Sequence, residues 1–64
     1  MSDLYIGFIR RLRSMAAAQN MGYEEMGEVF NVHSNTVRNW FSLRTMMDGE
    51  AVLKAVRFMG GYSL

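Results

Sequence analysis

Sixty-four residues bear seven Lys or Arg and six Asp or Glu, a net charge of +1, and half of them are hydrophobic, with neither Cys nor Pro. That composition excludes disulfides and thiolate metal sites, and no stretch approaches the ~20 apolar residues of a membrane span. What remains is one small all-α domain that buries only roughly 60% of its unfolded surface, for which self-association is the available reinforcement.

The N-terminal apolar run, Leu4 to Ile9, is too short for a signal core, and its charges follow it instead of preceding it. With Cys absent, this fits a cytoplasmic protein. Ser2 and Asp3 are suited to cap a first helix reaching about Ala18. Its predicted inner stripe is Leu4, Phe8, Leu12 and Met15, widened by Ile9 and Ala16. Arg10, Arg11 and Arg13 make the one charge run of the chain, read either as a solvated face or as a phosphate or partner contact. A basic helix lying on a membrane is a third option, but the apolar stripe is already needed for a core. Asn20, Met21 and Gly22 form the first loop.

The stretch from Tyr23 to Ser42 divides at Asn31. Before it, Tyr23, Met26, Gly27 and Phe30 fall at i, i+3, i+4 and i+7, one face of a helix, with Glu24, Glu25 and Glu28 on the other side. After it, Val37, Trp40 and Phe41 make a second apolar stripe. Asn35, Arg38, Asn39 and Ser42 repeat the same spacing on the opposite face, and every one of them can hydrogen-bond. Two amphipathic helices joined by a turn of three or four residues, the second showing solvent a polar row, have the layout of a helix-turn-helix.

These residues resemble the helix-turn-helix of the phage Cro/repressor (Xre-like) family. With Tyr23 as the first of twenty motif positions, the apolar ones are Met26, Phe30, Val32, Val37 and Trp40; the small residue where the helices touch is Gly27. The turn position of positive φ, usually Gly, is Asn31, and Asn tolerates that conformation. Two positions depart. Tyr23 stands where the family often places a phosphate-touching Gln, and His33 where it often has a capping Ser or Thr, so Ser34 is expected to cap the second helix.

The resemblance implies a lambda-repressor-like bundle of four to five short helices that binds duplex DNA at an operator as a homodimer, with half-sites about 34 Å apart. Carried over residue by residue, it makes Asn35, Arg38 and Asn39 the base readers. Tyr23, His33, Ser34, Ser42 and Arg44 become backbone or secondary contacts. The chemistry agrees, since Asn bonds bidentately to adenine and Arg to guanine. Six of the seven basic residues are Arg, the residue suited to forked recognition of phosphate and guanine. The low net charge argues the other way, because nucleic-acid domains are usually clearly basic.

Beyond the motif, Thr45 to Met47 reads as a linker, with Met46 and Met47 the methionines expected at the surface. Asp48 caps a last helix from Gly49 to about Met59, with Val52, Leu53, Val56 and Met59 inward and Gly60 and Gly61 stopping it. Lys54 and Arg57 read as solubility charges. Tyr62, Ser63 and Leu64 resemble the start of a further helix in longer relatives. The lone His33, without Cys or carboxylates at ligand spacing, gives no metal site. No nucleophile-base pair, acid-base dyad, cofactor motif or small-molecule site is present. The expected function is therefore a non-enzymatic transcriptional regulator, cytoplasmic and nucleoid-associated: a Cro-like repressor, or alternatively a phage CII-like activator. The reading from another class is a protein-interaction module built on a retained helix-turn-helix scaffold.

Overall fold

Ser2 starts the first helix, its Oγ accepting the Tyr5 N–H at 3.2 Å while Asp3 occupies the first turn. The computed structural model describes residues 1–62, and they form four helices: α1 (Asp3–Ala18), α2 (Tyr23–Phe30), α3 (Ser34–Phe41) and α4 (Gly49–Tyr62). None of these is long and apolar enough to cross a membrane. The protein is a small all-α bundle, and among the described residues there is no strand.

The first three helices end in the same way. Asn20, Asn31 and Leu43 have φ of 57°, 57° and 64°. Each sends its N–H back three residues, to Ala17, Glu28 and Trp40, and the next residue sends its own back five, to Ala16, Gly27 and Asn39. This is the Schellman closure, in which a left-handed residue lets two terminal carbonyls find donors. Asn suits the left-handed region. Leu43 does not, and its half-buried side chain packed against the core is what holds it there.

α1 buries Ile9, Leu12 and Ala16, with Tyr5 and Phe8 packed beside them. The stripe is thus turned by one position from the predicted one, and Leu4 lies 85% exposed. The cause is Tyr5, whose hydroxyl accepts the Met47 N–H at 3.0 Å and ties α1 to the segment before α4. That bond carries Met47 into the core, against the expectation that it would be exposed, while Met46 stays outside.

α2 and α3 close around Gly27. A Cβ there would stand 2.7 Å from the Val32 carbonyl oxygen and 3.5 Å from the Ser34 nitrogen. The small residue is needed where α2 passes the turn leading into α3, so the backbone of the turn is what it touches. Phe30 and Trp40 meet edge to face at 5.3 Å across this junction. Trp40 is buried with Met26, Phe30, Val37 and Phe41, as a core plug between the helices should be.

α4 packs by its smallest side chains. Among the residues whose burial is described, Ala51 and Ala55 are its buried ones, with Val52, Phe58 and Met59 packed against the same core. Leu53 and Val56, expected inside, are 60% and 51% exposed. Alanines permit the close approach, and Lys54 secures it, its ammonium donating to the Phe30 carbonyl at the end of α2 at 3.1 Å. Lys54 is therefore a structural cap for α2 rather than a solubility charge. Asp48 caps α4 as expected, accepting from the Ala51 N–H at 2.8 Å. Gly60 and Gly61 do not stop the helix, which continues to Tyr62; no described glycine has positive φ, so neither forms a left-handed cap. The suggested start of a further helix falls partly inside α4, at Tyr62, and otherwise on Ser63 and Leu64, outside the described residues.

Candidate nucleic-acid interface

α3 buries Val37, Trp40 and Phe41 and turns Asn35, Arg38 and Ser42 to solvent, with Asn39 half-buried beside them. The four polar residues share one helical face by their spacing. The apolar side fixes the rotation of α3, so the polar row has only one direction to point.

The N-terminus of α3 is capped by His33 and not, as expected, by Ser34. His33 takes the extended conformation of a cap, and its Nδ1 accepts the Asn35 N–H at 3.0 Å. An imidazole does this as the neutral ring with its proton on Nε2. The residue that begins the helix thereby also orders the backbone beneath Asn35. Ser34 lies half-buried. Ser42 directs its hydroxyl back to the Asn39 carbonyl at 3.3 Å, which turns it toward its own helix. Arg44 closes α3 through its N–H to Asn39 and leaves its side chain exposed.

Tyr23 gains a role that the sequence did not suggest. Its ring packs on Phe41 at 6.0 Å between centroids, and the Arg38 guanidinium lies over the Tyr23 ring, 5.1 Å from its centroid. A guanidinium at that distance is held by the ring quadrupole while its N–H groups remain free to bond outward. Tyr23 is therefore the platform that orients Arg38. Fifteen positions separate the two in sequence, and no local pattern signals the contact.

The same Tyr23 lines a cleft between α1 and the start of α2, together with Arg10, Arg13, Ser14, Gly22 and Phe41. Gly22 caps α2 without a side-chain hydrogen bond, so this helix end offers backbone N–H groups and a positive dipole end to the cleft. Glu25 folds back over Gly22, within 3.5 Å of where a Cβ would stand, and offsets part of that charge. The sign of the cleft is set by Arg10 and Arg13. Among the described residues the only ion pair joins Lys54 to Glu50, so no arginine is neutralised by a carboxylate partner.

Arg10, Arg13, Tyr23 and Arg38 consequently form a continuous cationic and aromatic band from α1 to α3. The Arg run was visible in the sequence as a candidate contact; that two of its members share a cleft with the first motif residue was not. Among the described residues no cluster of His, Cys, Asp or Glu could hold a metal ion. No family model, no curated protein and no solved structure matches the chain.

Proposed function

We propose that the protein is a sequence-specific regulator of transcription that binds duplex DNA, acts without catalysis or cofactor, and works as a Cro-like repressor by occluding a promoter. α3 lies in the major groove, where Asn35, Arg38 and Asn39 read base edges. His33, Ser34 and Ser42 stand at its two ends as secondary contacts, and Arg44 follows on the backbone side. Arg10 and Arg13, with the open start of α2, take a phosphate of the flanking strand, while the Tyr23 ring beside them holds Arg38 toward the groove. The supporting observation is the band joining Arg10 and Arg13 to Arg38 through Tyr23, because it supplies a positive surface at the helix face despite a net charge of only +1. Two copies on neighbouring half-sites complete the operator complex in the cytoplasm.

The test separates the two classes of contact. Asn35→Ala with Arg38→Ala should abolish preference for the operator over scrambled duplex, at roughly 1–3 kcal/mol per bidentate contact. Arg10→Ala with Arg13→Ala should instead weaken binding to every sequence and reduce the salt slope by about 2. Unchanged operator preference in the first variant would remove α3 as the reading element. The rival, a module that docks on a partner protein, gains ground if no duplex binds even at low salt.

A further inference from the structure

The outer face of α4 has a pattern that is not buried among the described residues. Gly49, Leu53, Val56 and Gly60 follow one another at intervals of four, three and four residues, a seam of the kind that packs one helix on another. All four are exposed, and Leu53 and Val56 are so at 60% and 51%. A Cβ at Gly49 or Gly60 would meet nothing within 4 Å, and neither has a positive φ. Among the described residues no packing or backbone requirement therefore explains a glycine at Gly60, inside a helix. Beside the seam, on one flank only, lie exposed Arg57 and Glu50, whose side chain is 80% exposed although one of its oxygens is 3.7 Å from the Lys54 ammonium.

We infer that this face is the site at which a second copy of the chain docks, α4 against α4 in antiparallel two-fold pairing. The seam reads the same in both directions: small, large, large, small. Reversed on itself, it sets Leu53 against the second copy's Val56 and Gly49 against the second copy's Gly60, with the glycines letting the backbones approach at both ends. A two-fold axis perpendicular to the helices keeps each flank facing its own copy. Glu50 then lies opposite the second copy's Arg57, and Arg57 opposite its Glu50. The midpoint of the charged pair and that of the seam differ by one residue, which offsets Glu50 from the second copy's Arg57 by two residues, about 3 Å of helix rise, within the reach of both side chains. A parallel two-fold pairing puts the two charged flanks on opposite sides of the seam, where neither Glu50 nor Arg57 meets a charged partner, so the charges favour the antiparallel register.

The inference deepens the two-copy part of the proposed function, but its test needs no DNA. Sedimentation equilibrium of the full chain should show a concentration-dependent dimer. Leu53→Glu should be monomeric with unchanged helical circular dichroism, since the side chain is already in solvent. Glu50→Arg and Arg57→Glu should each self-associate about tenfold more weakly, and an equimolar mixture of the two should recover dimers at wild-type strength. A wild-type chain that stays monomeric, a Leu53→Glu chain that still dimerises, or a mixture without recovery would overturn the pairing. Operator preference in a monomeric chain would sink the pairing and leave DNA recognition standing; a dimer that binds no duplex would do the reverse.

Discussion

Asn31 holds φ 57° and ψ 47° between α2 and α3, a left-handed conformation that costs a β-branched residue about 1 kcal/mol or more and Gly nothing. Asn31→Gly should leave the midpoint of urea unfolding unchanged or raise it, and Asn31→Val should lower it. An Asn31→Val chain as stable as the parent would contradict this turn. Two residues on, His33→Ala should cost about 1 kcal/mol through loss of the cap to Asn35, while His33→Ser should retain most of it. The turn was legible because Asn and Gly27 each answer a steric demand that sequence displays. The choice of His33 over Ser34 as cap was not, because both residue types can accept a hydrogen bond and only the backbone path decides which one faces the free N–H groups.

Between elements, Tyr23 couples the start of α2 to the polar face of α3. If its ring holds Arg38 in position, Tyr23→Phe should bind operator as the parent does. Tyr23→Leu, which keeps apolar cover over Phe41 but removes the π face, should lose about two- to fivefold in operator affinity. Equal affinity for both variants would make the contact incidental. At this scale periodicity located every helix, and it failed on facing where a helix carries more apolar residues than one stripe needs. In α1 the stripe turned because Tyr5 bonds across the fold to Met47. In α4 the inward side was decided by Ala51 and Ala55, which are buried in the core, and by Lys54 reaching Phe30. Ranking side chains by size favours Leu53 and Val56, and close helix packing reverses that ranking.

For the molecule as a whole, one core joins all four helices, with Trp40 and Phe30 at the α2–α3 junction and Ala51 and Ala55 behind them. Trp40→Ala should cost about 3–5 kcal/mol, comparable to the whole stability of so small a domain. Circular dichroism should show it largely unfolded at room temperature. A folded Trp40→Ala chain would place the weight of the core elsewhere. The charge of the molecule is organised in the same collective way. Glu24 and Glu28 lie on the exposed side of α2 and Glu25 folds back over Gly22, while Arg10, Arg13 and Arg38 gather along the cleft and the outer face of α3. A net charge near zero thus conceals a local gathering of arginines, a distribution that composition alone cannot display.

The central claim is that this surface recognises duplex DNA by sequence. Its most direct test is binding of the full chain to the DNA upstream of its own gene, against scrambled duplex of the same length, across a salt series. The account predicts preference for the upstream sequence and an affinity that falls steeply as salt rises, in proportion to the phosphates engaged. Equal binding to both duplexes, or none at low salt, would contradict it.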